Sequence, residues 1–227
     1  MYLVSSHKKG ISSYQLARDI DVTQKTAWYI LHKVRTMFNQ YDDIALDGEV
    51  EMDEMYLGGR ETDKHECRKT AKTQGRSTKT KTPIFGMVSR GGEVRAVVVP
   101  NTQAATLMPI VKQFVADNAH VFTDELNSYS ALDREGYRHD VIHHGDKEFS
   151  REGSISTNSI EGFWGHFKRS VFGIYHFISK AYLQQYVNEA VYRYNTRKAD
   201  ESVRLADMFA KSIGVCSYSD VKALKVA

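Results

Sequence analysis

The hydrophobic period of this chain changes near residue 48, and that change restricts the fold more than any other feature. Residues 11–35, ISSYQLARDIDVTQKTAWYILHKVR, put apolar or small side chains at Leu16, Ala17, Ile20, Val22, Ala27 and Ile30, the spacing of two short helices joined by a turn. From residue 49 the period is two. EVEMDEMYL (49–57) alternates as a strand does, and PIFGMVSRGGEVRAVVVP (83–100) contains two β-rich runs joined by Gly91-Gly92. That pair is a hairpin signal, because both central residues of a primed turn need positive φ. Helical spacing returns over 104–116 at Leu107, Ile110, Val111 and Phe114, with Pro109 expected in the first turn or at a kink. A strand over 120–123, a small helix over 128–135, a strand over 139–143 and helices over 158–168 and 181–194 complete the reading.

Three strands, a helix, a fourth strand and later helices is the element order of an RNase H-like domain. The expected fold is therefore α/β: a mixed sheet flanked by helices, preceded by a small N-terminal all-α helix-turn-helix module. The boundaries expected are 1–42 for that module, 43–200 for the sheet domain and 201–227 for a C-terminal helical tail. A chain of 227 residues can bury such a core without a disulfide or metal staple. No segment reaches the roughly 18 apolar residues of a membrane span or the pattern of a signal peptide. Cys67 and Cys216 are too far apart in sequence and too few to suggest a disulfide framework or zinc finger. A reducing cytoplasm is the expected compartment, with no membrane partner.

The net charge of +3 conceals two local excesses of positive charge. Residues 60–81 carry eight Lys and Arg, Lys69, Lys72 and Arg76 among them, against Glu61, Asp63 and Glu66. Residues 1–40 carry six basic side chains against Asp19 and Asp21. Either run could be ordinary solvated surface, but both would favour approach to a polyanion. In the helix-turn-helix, Thr23 is placed to cap the second helix. The outer face of that helix would offer Gln24, Lys25, Thr26, Lys33 and Arg35 to DNA.

Three acids fall where that fold converges. Asp53 lies in the first strand, Asp124 just after the fourth and Glu161 on a late helix, and strands one and four are central neighbours in an RNase H-like sheet. Carboxylates so gathered suit Mg²⁺, with Mn²⁺ as a substitute, and two such ions can activate a water or a 3′-hydroxyl for in-line attack at phosphorus. Each acid has a plainer reading. Asp53 is one of four acids in an alternating strand, and the period cannot choose among them. Asp124 could cap the helix that follows it. Asn158-x-x-Glu161 is close to a capping box with Asn158 as the N-cap. Trp164 reads as packing, with base stacking as the alternative. The run His143-His144-x-Asp146 reads as site rim rather than metal ligands.

The segments EMDEMYLGG (51–59), KTPIFGMVSRGGEVRA (81–96), VFTDELNSYSAL (121–132), TNSIEGFWGHFKRSVFGIYHFIS (157–179) and YVNEAVYRYNTRK (186–198) occur in order. Together with the helix-turn-helix they resemble the ISXO-type insertion-sequence transposases, a prokaryotic DDE family related to the Merlin elements. The resemblance runs from about Lys9 to Lys198. It implies that Asp53, Asp124 and Glu161 are the acidic triad and the metal ligands, that Lys168 is the basic residue that follows, and that Asn158 takes the third position if this chain follows the members with Asn there. Lys168 and Arg169 would then face DNA. The implied partners are double-stranded transposon ends and target DNA, and the implied assembly is a homodimer or larger transpososome at the nucleoid. The implied chemistry is phosphodiester hydrolysis at element ends followed by strand transfer.

Family members usually begin with a cysteine-rich zinc ribbon, and no such cysteines precede this helix-turn-helix. That departure keeps a rival open: a truncated, catalytically silent DNA-binding repressor. A structure-selective nuclease of the same fold, which would cut without joining, is a third reading.

Overall fold

The computed structural model describes residues 1–39, 45–58, 65, 67, 77–142 and 156–212. In chain order the elements are α1 (Tyr2–Ser6), α2 (Ser13–Asp19), α3 (Gln24–Thr36), β1 (Glu49–Leu57), β2 (Thr82–Ser89), β3 (Val94–Val98), α4 (Ala104–Phe114), β4 (His120–Thr123), α5 (Ser130–Arg134), β5 (Arg138–Val141), α6 (Asn158–Ser170), α7 (Leu183–Asn195) and α8 (Glu201–Lys211). They fall into two compact units, Ile44–Gly162, and Met1–Asp43 together with Phe163–Ala227. The units do not follow the modules expected from chain order, since 163–200 belongs with the N-terminal helices.

The first unit is built on one five-stranded sheet with the order β3-β2-β1-β4-β5. β1 is antiparallel to β2 and parallel to β4, and β4 is parallel to β5. This is the RNase H-like sheet. β1 is its central strand, and most of its side chains are buried on both faces. The alternation of EVEMDEMYL therefore does not separate a wet face from a dry one: Glu51 is fully buried and Glu54 is 8% exposed. Val50 and Met52 join Phe85, Leu107, Val111, Val121, Tyr129 and Leu132 in one apolar cluster. Each such side chain taken from water contributes about 1.5–3 kcal/mol.

Two local expectations need correction. The β2–β3 connection has positive φ only at Gly91 (71°), and the Gly92 N–H donates to the Ser89 carbonyl across 2.9 Å. Positive φ at the third position alone is the mark of a type II turn, so the primed two-residue turn does not form. Pro109 lies in the second turn of α4, which excludes the first-turn placement and leaves the kink.

In the second unit, Ser12 accepts the Gln15 N–H (3.1 Å) to start α2, and Thr23 accepts the Thr26 N–H (3.2 Å) to start α3. Asp21, in the turn between them, has a φ of 51°. That is the left-handed region, where short polar side chains are tolerated next best after glycine. Leu16, Ala27, Leu31 and Val34 are buried and share a core with Tyr192 of α7 and Met208 of α8. Ile20, one of the apolar positions of the helix-turn-helix spacing, is 41% exposed. The buried face of the helix-turn-helix is therefore completed by helices from the far end of the chain. No helix among the described residues is long and apolar enough to cross a membrane.

Candidate active site

The site begins with a strand register. β1 and β4 run parallel with Glu49 beside His120, Val50 beside Val121 and Glu51 beside Phe122. Two residues further along the same offset come Asp53 and Asp124. One carboxylate oxygen from each of Asp53, Glu54 and Asp124 lies within 4.8 Å of the others. Asp124 also accepts the Leu126 N–H at 3.0 Å, which turns the chain sharply after β4. It does not cap α5, which has no side-chain cap.

Glu54 is held by the hydroxyl of Tyr129, which donates to its Oε1. Burial pushes the pKa of Tyr129 well above its ordinary value, and the negative charges of Glu54, Asp53 and Asp124 raise it further. The hydroxyl therefore keeps its proton. Three carboxylates this close repel one another in a partly dry setting. A hard divalent cation with oxygen ligands offsets that repulsion and fits this donor set.

Glu51 has a different task. Its Oε2 accepts the backbone N–H groups of Ser159 (2.8 Å) and Ile160 (3.0 Å), and its Oε1 accepts the Ser159 hydroxyl (3.1 Å) and Arg90 Nε (2.7 Å). A carboxylate from the central strand thus caps α6, which suits the unpaired N–H groups and positive dipole end of a helix N-terminus. The N-cap and capping-box expectations are accordingly corrected. Asn158 is the first helical residue, not the N-cap, and Glu161 lies one position past the capping-box site. Glu161 is exposed, and its Oε1 accepts from the Thr157 hydroxyl at 3.3 Å. It is not in the three-carboxylate group. Asn158 is also exposed.

Lys168 and Arg169 are exposed in the last turn of α6. Trp164 is buried against Phe163, with ring centroids 4.9 Å apart, as the packing reading requires. On α3, Lys25 and Thr26 are exposed, Gln24 is half-buried and donates to Ser13 Oγ (2.8 Å), and Lys33 lies 5.6 Å over the Tyr29 ring. Arg35 must be removed from the DNA-facing set. It is buried, its Nε donates to Glu189 at 2.7 Å, and its guanidinium lies 3.9 Å over the Tyr186 ring. The helical period turns residue 35 toward α7, which the spacing of α3 alone does not reveal. Lys69, Lys72 and Arg76, like His143, His144 and Asp146, lie outside the described residues.

The ISXO2-like transposase domain matches residues 45–195. The chain belongs to the ISXO2-like transposase family. A transposase-like protein of Haemophilus influenzae is 32% identical to this transposase chain over 119 residues, 52% of this chain and 94% of its own length. Among solved structures the chain is similar, at a TM-score of 0.34 and 12% identity, to a chain of the Mos1 strand transfer complex, covering 96% of this chain and 73% of that one. It is also similar, at 0.35 and 11%, to a chain of the simian T-cell lymphotropic virus intasome in complex with PP2A regulatory subunit B56 gamma. There it covers 84% of this chain but 62% of that one, under two thirds of its length.

The candidate site of this transposase also holds residues that sequence reasoning missed. Glu54 and Glu51 were visible only as members of a run of four acids, and Tyr129 as one of thirteen tyrosines. A usable signal was present for Tyr129: it stands five residues after Asp124, on the turn that follows the strand.

Proposed function

We propose that this transposase cuts and rejoins DNA in a divalent-metal-dependent reaction, hydrolysing phosphodiesters at the ends of an insertion sequence and transferring the freed 3′-hydroxyls to target DNA. The observation that carries the reading is the convergence of Asp53, Glu54 and Asp124 just beyond the point where the parallel pairing of β1 and β4 ends. Asp53 and Asp124 are the proposed ligands of Mg²⁺, or of Mn²⁺ in its place, with Glu54 beside them. Glu161 is the third acid of the proposal, and Asn158 is its alternative. When bound, such ions lower the pKa of an attacking water or hydroxyl and offset the charge on the leaving oxygen.

Other side chains bind and orient. The Tyr129 hydroxyl holds Glu54 in place. Lys168 and Arg169 contact the phosphate backbone from the end of α6, and Gln24, Lys25, Thr26 and Lys33 contact DNA from α3. The basic segment with Lys69, Lys72 and Arg76 adds sequence-independent affinity. The acting assembly is at least a dimer bound to double-stranded DNA.

The test is strand cleavage of duplex DNA carrying an element end, with Mg²⁺, with Mn²⁺ and with a chelator. Cleavage should need the metal, and Asp124→Asn should abolish it while leaving DNA affinity within a few-fold. Binding without cleavage in the wild type would favour the silent repressor. Cleavage without joining would favour a nuclease.

A further inference from the structure

The four acids of β1 divide their labour, and Glu51 is the one bonded to the first turn of α6. Its two oxygens receive the N–H groups of Ser159 and Ile160, the Ser159 hydroxyl and Arg90 Nε. Arg90 stands in the β2–β3 turn. Its Nη1 donates to Glu49 (2.7 Å), its Nη2 donates to the Ser156 carbonyl (2.7 Å), and its guanidinium lies 4.3 Å over the Phe122 ring of β4. One ion pair thus touches the central strand, its parallel neighbour, a turn and the start of a helix. Glu51 is fully buried, so the bonds are not exchanged with water.

We propose that Glu51, braced by Arg90, is a positioning residue of the reaction: it fixes the first turn of α6, and with it Glu161 and Asn158, to the strand that carries Asp53. The inference rests on the metal-dependent reading given above. Asp53 is held by the β1–β2 pairing and Asp124 directly follows β4, so neither is placed by the first turn of α6. Glu161 immediately follows Ile160, whose N–H the brace holds, and its place relative to β1 depends on that first turn staying wound. Small displacements of a reacting constellation cost about a hundredfold in rate per ångström.

The experiment compares Glu51→Ala, Glu51→Gln and Asp124→Asn in the full chain. It measures end cleavage as kcat and KM, Mn²⁺ binding by calorimetry without DNA, and amide hydrogen exchange. Glu51→Ala should lower kcat by roughly tenfold to a hundredfold with KM little changed. Exchange should speed up at residues 159–161 and stay slow in β1 and β4. The first Mn²⁺ should still bind, because Asp53 and Asp124 stay in place.

Glu51→Gln can still accept both N–H groups but turns an NH₂ toward Arg90, so it isolates the brace from the cap. It should fold and show a smaller loss of kcat. Cleavage by Glu51→Gln equal to wild type, together with full kcat in a folded Glu51→Ala, overturns the proposal. So does loss of protection throughout the sheet of Glu51→Gln, which would make Glu51 a stability residue only. If Asp124→Asn also cleaves normally, the metal-dependent reading itself has failed, and the two failures are distinguished.

Discussion

Arg35 and Glu189 form an ion pair of 2.7 Å between α3 and α7, with both side chains at most 4% exposed. The glutamate is fully served: Tyr175 Oη donates to it at 2.9 Å and Arg193 Nη2 at 2.7 Å. Burial alone would raise the Glu189 carboxyl, but the charges of Arg35 and Arg193 overcome it and hold the group down to about 2. Removing one partner strands the other charge in an apolar setting. Arg35→Ala should therefore cost about 3–5 kcal/mol in urea unfolding, and Arg35→Met paired with Glu189→Leu should recover much of the loss. Lys25→Ala, on the exposed side of the same helix, should leave the unfolding midpoint unchanged.

The same unit sets an acid limit. Burial lowers His32 to about 4 against the opposing pull of its 2.6 Å bond to Gln185. A histidine kept neutral by the fold stabilises it fully above pH 6.5, and that stability is lost as pH falls toward 4, because the unfolded chain takes up the proton first. Glu189 contributes above about pH 4.5 and loses its contribution between 4.5 and 2. Each shift amounts to on the order of 3 kcal/mol. Unfolding free energy followed from pH 8 to pH 3 should decline in two stages, and His32→Gln should remove the upper one. A flat profile between pH 6.5 and 4.5 would contradict the His32 assignment.

Glu161→Gln and Asn158→Ala can now be read without a stability correction. Both side chains are exposed, and the Ser159 and Ile160 N–H groups of the first turn are accepted by Glu51, so each variant should stay within about 0.5 kcal/mol of the wild type. Any large loss of cleavage then reports on chemistry. Glu161→Gln is expected to lose most Mg²⁺-dependent cleavage and to regain part of it in Mn²⁺. Loss confined to Asn158→Ala would instead make asparagine the third residue.

DNA affinity should fall with salt by roughly 0.9 log units per log unit of salt for each phosphate neutralised. Lys25→Ala and Lys33→Ala should each weaken binding to element ends and flatten that slope. Fluorescence anisotropy at several salt concentrations is sufficient to measure both.

The elements of this chain were legible because its periods are clean. β1, β4 and the helix at 158 begin where the sequence suggests, and the constant offset between β1 and β4 is what brings Asp53 to Asp124. The division among four neighbouring acids was not legible. Which acid joins Asp124, which caps a helix and which meets water depends on what covers each face of the central strand, and an alternating pattern looks the same whether one face or both are covered. Arg35 was misread for a related reason, since its partner stands 154 residues away. Local capping rules also misplaced Asn158, because the acceptor for α6 comes from another strand rather than from the preceding residue.

The core of the helix-turn-helix contains Tyr192 and Met208 as well as its own Leu16, Ala27 and Leu31. During synthesis the first helices leave the ribosome well before these partners exist, so the helix-turn-helix is among the first parts made and among the last to acquire its packing. A product that stops after residue 162 would keep every base-reading candidate on α3 and lose the surface that holds them in place. On the proposed role of α3, shortened copies of such a gene would be poor sources of competing end-binding protein, and occupancy of the element ends would be tied to completion of the whole polypeptide.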